Sequence, residues 1–200
     1  MAIYLIRHTT PDIPKGICYG QTDLDVVHSF EQEVALTKAH LPEAVTHVFS
    51  SPLQRCHKLA RALYPQQSIV LKDELKELHC GSWEMQEWNA IPKAEIQPWM
   101  DDFVHVRVPG GESYVDLHTR VVRCFENIAS LEGSSVIVAH GGPLRSILSH
   151  ITQTPLKESF DVFTLHYGCV VELHANGNGF EYQLLYNHSQ TGKEWHRPTL

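Results

Sequence analysis

The chain has 200 residues, 42% of them hydrophobic, with 16 Lys and Arg against 23 Asp and Glu for a formal net charge of −7. That length suits a single domain over residues 1–200 with ample apolar material for a core, and the acidic balance excludes a broad basic face of the kind that holds nucleic acid or an anionic membrane. The longest uninterrupted apolar stretch, Met1 to Ile6, falls far short of the ~20 residues a spanning helix needs and lacks leader-like flanks, so neither a membrane span nor a secretory leader is expected.

Residues 2–6 form a continuous apolar, β-prone run that breaks at Arg7-His8-Thr9-Thr10-Pro11, the pattern of a fully buried strand running into a loop. Ser29, with Gln32 three positions on, resembles a capping box, and Phe30, Val34 and Leu41 predict a helix over about 30–41. A short strand is expected at 46–49, stopping at Ser50-Ser51-Pro52. Ser51 suits an N-cap and Pro52 a first helical position; Leu53, Cys56, Ala60 and Leu63 then predict a helix to about 64, with Arg55 in its first turn. Residues 68–71 fit a third strand. From about 83 to 109, Trp83, Trp88 and Trp99 mix with Pro92, Pro98 and Pro109, as in short helices of a covering insertion.

Beyond Gly110-Gly111, Ser113 and Asp116 suggest another cap, for a helix carrying Leu117, Val121, Cys124, Phe125 and Ile128 to about Leu131. Residues 135–139 repeat the pattern of the first strand and break at His140-Gly141-Gly142-Pro143, with a short helix from Pro143 to about 151. Three late runs, Val162 to Leu165, Cys169 to Leu173 and Phe180 to Leu185, read as strands, with Asn176-Gly177-Asn178-Gly179 as a hairpin turn. Strands alternating with helices predict an α/β fold of three layers, a mostly parallel central sheet flanked by helices, with an antiparallel part late in the chain.

In open α/β sheets the ligand crevice lies at the carboxyl ends of the strands. Three strands here end in polar clusters: Arg7-His8, Ser50-Ser51 ahead of Arg55, and His140-Gly141-Gly142. Two guanidiniums, two imidazoles and two helix N-termini favour an anion, and the arginine fork matches phosphate oxygens. A neutral imidazole can attack phosphorus while a carbonyl holds its other N–H; His8 is the candidate nucleophile. The leaving alkoxide needs a proton. Glu77, in a loop after the third strand, is the candidate carboxyl, and Asp23, Glu84 and Glu112 compete with it. The tryptophans suit a core, with stacking on a substrate base as the alternative, and Tyr19 and Tyr114 are candidate substrate contacts. Five cysteines, an odd number without C-x-x-C spacing, fit a reducing cytoplasm. Fourteen histidines invite a metal reading, but no H-E-x-x-H occurs and no metal site is expected; a metal-dependent hydrolase is the rival this count motivates.

Together these residues resemble the histidine phosphatases, the superfamily that includes cofactor-dependent phosphoglycerate mutases and fructose-bisphosphatase domains. The resemblance is carried by Ile6-Arg7-His8-Thr9, by Ser50-Ser51-Pro52-Leu53-Gln54-Arg55, by Glu77-Leu78-His79-Cys80-Gly81-Ser82-Trp83-Glu84 and by Val138-Ala139-His140-Gly141-Gly142, four motifs in order. It implies a phosphoglycerate mutase-like fold, a phosphohistidine at His8 and Glu77 as acid and then base. Arg7, Arg55 and His140 would clamp the phosphoryl oxygens, without metal or other cofactor. Gly20-Gln21-Thr22-Asp23 is similar to the family's substrate-contacting loop, making Tyr19, Gln21, Thr22 and Gly141 further substrate-binding candidates. Most members carry Gly where this chain has Thr9, a β-branched residue where glycine would permit positive φ or close approach. The string Arg7-His8-Thr9-Thr10-Pro11-Asp12, with Gly16-x-Cys18-Tyr19-Gly20-Gln21-Thr22-Asp23, is similar to the alpha-ribazole phosphatase branch, which acts in assembling the cobalamin lower ligand.

The function implied is hydrolysis of a small phosphorylated metabolite in the cytoplasm, alpha-ribazole 5′-phosphate foremost. The alternatives are a phosphoglycerate mutase, which in this family usually carries a longer insertion between donor and second histidine, a broad-specificity sugar phosphatase, and a catalytically weak phospholigand-binding module motivated by Thr9. The resemblance does not extend to the tail after about 187, and the sequence leaves the oligomeric state open.

Overall fold

The computed structural model describes residues 2–177 and 179–188. Its centre is β1 (Ala2–Arg7), paired in parallel with β4 (Ser135–Ala139) and antiparallel with β5 (Val170–Asn176). Outward from β4 run β2 (His47–Ser50) and β3 (Ile69–Leu71), both parallel, while β6 (Gly179–Tyr186) forms the other edge against β5. The resulting sheet has the order β3-β2-β4-β1-β5-β6. The parallel part carries Arg7-His8, Ser50-Ser51 and His140-Gly141 at its strand ends, and the late antiparallel pair completes the sheet.

Alternation of side chains across the two central strands explains the helix layers. Ile3 and Leu5 of β1 and Ile137 and Ala139 of β4 face one side, where they pack with α4 (Tyr114–Ala129) and α5 (Gly141–Thr152). Ile6, Val136 and Val138 face the other, against α1 (Phe30–Lys38) and α2 (Gln54–Leu63) through Val34, Cys56, Leu59, Ala60 and Leu63. Each face is apolar because each is covered, as expected for a parallel sheet, so the fold is a three-layer α/β/α arrangement. Residues 81–109 hold two 3₁₀ turns and α3 (Lys93–Asp101) and close a separate apolar cluster of Cys18, Cys80, Trp83, Ile91, Ile96 and Trp99.

Several local expectations differ from the structure for identifiable reasons. The run Val162 to Leu165 is not a strand: α6 (Ser159–Val162) occupies its start, and the rest is irregular. Phe163 and Leu165 are buried as a strand's residues would be, but the carbonyls of residues 163, 164 and 165 accept from Arg145 Nε, Asn187 Nδ2 and Arg7 Nη1 instead of from a ladder. Helix α2 begins at Gln54, not Pro52, because Asp23 Oδ1 accepts its N–H at 2.7 Å from a distant loop. Ser29 makes no capping bond; its hydroxyl donates to Glu33 Oε1, whose partner oxygen accepts Thr10 N–H. Helix α5 starts at Gly141, two residues earlier than its proline suggests. The capping box at Ser113 and Asp116 is present as read. Asn178 of the hairpin turn and the tail from 189 lie outside the described residues.

Replacing Ser113 by Ala removes the side-chain acceptor for Asp116 N–H and is expected to lower stability by about 1 kcal/mol. Urea denaturation with an unchanged midpoint would contradict this.

Candidate active site

His8 follows β1 and is held from both neighbouring strands' flanks: its N–H donates to Ala139 O at 3.0 Å, and its carbonyl accepts from Gly168 N–H at 3.1 Å. Because the last residue of β4 and the turn before β5 both bond its main chain, the nucleophile candidate is placed by the end of the sheet and not by a free loop. Its Nδ1 lies 2.7 Å from Thr9 O. A carbonyl can only accept, so Nδ1 carries the proton and the lone pair sits on Nε2, the tautomer suited to attack. Thr9 does not take a positive φ; the only non-glycine residues that do among those described are Met85 and Gln153. The β-branched side chain is therefore accommodated without left-handed strain.

His140 ends β4 and caps α5, and its ring meets that of His8 edge-on at 5.0 Å between centroids. It is fully buried, with Nε2 2.8 Å from Ser51 Oγ and 3.4 Å from Cys56 Sγ. Burial, then the charges of Arg55, His8 and Arg7, hold its pKa well below the usual imidazole value, so the ring is neutral near pH 7. Burial likewise pushes the Cys56 thiol up to about 12, which makes it a packing group and a donor to Ala139 O.

The guanidiniums differ in placement. Arg7 faces the cleft, donates to Leu165 O and lies 3.9 Å from the centroid of the Tyr167 ring. Arg55 is wholly buried, donating to Gly20 O at 2.6 Å and Thr22 O at 2.8 Å, and it stands behind the cleft wall with His140. Two further residues escaped the sequence reading. Arg145, on α5, lines the cleft beside Arg7, donates through Nε to Phe163 O and lies over the Phe160 ring. Tyr167 packs on His8 and shares a 2.7 Å hydroxyl contact with Tyr19. Arg145 sits five places after His140 on a helix opened at the site, a usable signal; Tyr167 lies in a turn with none.

Glu77 lines the cleft, its two carboxylate oxygens accepting from Leu78 N–H at 2.9 Å and Gly142 N–H at 3.2 Å. The other acids are occupied. Asp23 caps α2, and Glu112 pairs with Arg120. Glu84 accepts from the N–H groups of Gly20, Gln21, Thr22 and Cys80 and from the Thr22 hydroxyl. Burial alone would raise the Glu84 pKa, but those bonds outweigh it and leave the carboxyl below its ordinary range. Glu84 and Arg55 thus grip residues 20–22 from their N–H and carbonyl sides. Gln21 donates to Glu77 O, and neither Gln21 nor Thr22 lines the cleft.

The cleft encloses a cavity of about 110 Å³. Arg7, His8, Glu77, Gly141 and Arg145 form its polar end; Tyr19, Trp88, Trp99, Phe103, Tyr114 and Phe160 supply aromatic walls. Trp83 fills the core, whereas Trp88 and Trp99 stack at 5.9 Å and also face the cavity. Among the described residues no group of three or more His, Cys, Asp or Glu is arranged to hold a metal ion. No described helix is long and apolar enough to cross a membrane.

Residues 3–188 match the family model described as histidine phosphatase superfamily (branch 1). A Hydrogenobacter thermophilus protein named "Putative phosphoserine phosphatase 2" is 28% identical, over 88% of this chain and 90% of its own length. "Probable phosphoglycerate mutase GpmB" of Salmonella choleraesuis is 27% identical, over 78% of this chain and 76% of its own. The crystal structure of the alpha-ribazole phosphatase from Shigella flexneri superimposes with a TM-score of 0.84 at 21% identity, covering 97% of this chain and all of that one, and so shares the fold. With the family model spanning nearly the whole described chain, this protein belongs to branch 1 of the histidine phosphatase superfamily and is a phosphatase of that family.

Proposed function

We propose that the chain hydrolyses a small phosphomonoester with a flat, largely apolar alcohol through a phosphohistidine on His8, with alpha-ribazole 5′-phosphate as the best-fitting substrate. The observation that carries the mechanism is the His8 tautomer, with Nδ1 bound to Thr9 O and the ring set against His140 and beside Arg7 and Glu77 at the polar end of one cleft. In the first step His8 Nε2 bonds to phosphorus as the ester P–O bond breaks, and Glu77 delivers a proton to the departing oxygen. In the second, water attacks the phosphohistidine, Glu77 takes its proton, the P–N bond breaks and inorganic phosphate leaves. Arg7 and the N-terminus of α5 meet the negative charge of the transferring group at the cleft, whereas Arg55 and His140, expected as part of the clamp, lie behind its wall, where Arg55 contributes its field and His140 backs the His8 ring.

The aromatic walls support the substrate reading. A benzimidazole-like ring system finds Trp88, Trp99, Phe103 and Phe160 along the cavity, where stacking adds to the burial of apolar area. The proposal carries with it a role in cobalamin assembly, in the cytoplasm. Arg145 favours a second reading, because a guanidinium in the cleft beside Arg7 also suits a carboxylate, as in phosphoserine or a phosphoglycerate.

Three measurements decide these points. In an EDTA-containing panel of phosphate esters, alpha-ribazole 5′-phosphate is expected to give the highest kcat/KM; preference for phosphoserine, or phosphoryl transfer to a second glycerate in place of release, would favour the other readings. His8→Ala is expected to abolish both turnover and acid-labile phosphoprotein, and retained turnover refutes the nucleophile. Trp88→Ala should raise KM for the aromatic ester about tenfold while glycerol phosphate changes little. A further substitution tests the donor through its support: a Cβ on Gly142 would stand 2.2 Å from Glu77 Oε1. Gly142→Ala is therefore expected to lower kcat on an alkyl ester by about 10²-fold through displacement of the carboxyl, and wild-type kcat would show that Glu77 need not sit there.

A further inference from the structure

We infer that Arg120 is a positioning residue for proton transfer, setting the Glu77 carboxyl over the cleft through the main chain that carries it. The inference rests on Glu77 as the proton donor. Segment 76–80 belongs to no strand or helix, so neither a sheet ladder nor helical hydrogen bonds fix its height. Arg120, on α4 with a side chain only 16% exposed, supplies that fixation instead. Its Nη1 donates to Glu74 O at 2.6 Å and Lys76 O at 2.8 Å, and its Nη2 donates to Glu77 O at 2.9 Å. The remaining Nη2 and Nε hydrogens go to the two oxygens of Glu112, at 2.8 and 2.7 Å. All five donors of the guanidinium are thereby used.

Glu112 extends the grip to the far side of Glu77. Its Oε2 also accepts His79 N–H at 3.0 Å, so one ion pair holds residues 74, 76, 77 and 79. Burial opposes ionisation of Glu112, but the Arg120 bonds outweigh it and keep the carboxyl below its ordinary range. An exposed ion pair adds little stability. This one is half-buried, and its hydrogen bonds run to main-chain atoms flanking the donor, so its consequence is geometric. Lysine at 120 would keep the charge but lacks the planar fork that reaches three carbonyls and a carboxylate at once.

The test compares kcat/KM, which covers steps only through departure of the alcohol, for two esters. One is p-nitrophenyl phosphate, whose leaving group departs without a proton; the other is glycerol phosphate, whose alkoxide needs one. Glu77→Gln serves as reference and is expected to lose about 10²-fold or more on glycerol phosphate and far less on the nitrophenyl ester. Arg120→Lys and Glu112→Gln are expected to show the same pattern in weaker form, roughly tenfold on glycerol phosphate and under about twofold on the nitrophenyl ester. Equal losses on the two esters in both variants, or no loss, would overturn the positioning role while Glu77→Gln still discriminates. If Glu77→Gln itself fails to discriminate, the donor assignment falls first. Thermal melting identifies a variant that does not fold, and Glu112→Gln, which preserves side-chain volume, carries the test if Arg120→Lys is such a variant.

Discussion

Positive charge oriented by main-chain dipoles is the constraint around which this molecule is organised. Arg55 and Arg145 direct their hydrogen bonds to main-chain carbonyls, and Arg7 donates to Leu165 O, so the guanidiniums are oriented by dipoles. Glu77 shares the cleft end with Arg7 and Arg145, while three other carboxylates are engaged elsewhere: Glu84 with backbone N–H groups, Asp23 with the start of α2, Glu112 with Arg120. A net-negative protein thereby keeps a locally cationic cleft end, which selects a phosphate dianion over the bulk of neutral metabolites and screens little because it is desolvated. Irregular structure around Gly20, Thr22, Phe163 and Leu165 follows from the same requirement, since the carbonyls of these four serve as arginine acceptors.

The parts of the fold legible in the sequence were those decided by local chemistry. β1 and β4 announce themselves as apolar runs because both faces are covered, and their polar breaks mark the carboxyl ends where His8 and His140 emerge. The Ser113 capping box is a contact over three residues and was read correctly. Where long-range bonds settle the outcome, local reading failed. Ser51 looks like the N-cap of α2, but Asp23 caps Gln54 from a loop 31 residues away in sequence, and the main-chain N–H that Ser51 Oγ accepts is that of Leu53, ahead of the helix, while the hydroxyl also meets His140. Phe163 and Leu165 carry a strand's burial without its ladder. Arg120, on the outward part of an amphipathic helix pattern, is indistinguishable in sequence from a solvated arginine; only the meeting of α4 with residues 74–79 gives it work.

The covering segment joins the wall of the cleft to a hydrophobic cluster of its own. Trp83 is sealed in the cluster that anchors the segment, whereas Trp88 and Trp99 belong to the same cluster and also form the cleft wall. One aromatic stack thus serves both the cluster and the cleft wall. Changing a wall residue alters the cluster that holds the segment, so on the proposed reading substrate range is expected to shift together with local stability, a coupling that His8 and Arg7 escape because β1 carries them.

His140 shows how the same site can be basic enough to bind phosphate and yet keep its nucleophile reactive. With its ring 5.0 Å from that of His8, a permanent charge on His140 would stabilise the lone pair of His8 and slow attack. Burial and the neighbouring guanidiniums keep the second imidazole neutral in the free protein. Set behind the cleft wall with its Nε2 2.8 Å from Ser51 Oγ, His140 backs the His8 ring as an uncharged polar group. On the proposed mechanism the positive charge that meets a phosphate comes from Arg7 at the cleft, while the neutral imidazole behind it leaves the His8 lone pair available for attack.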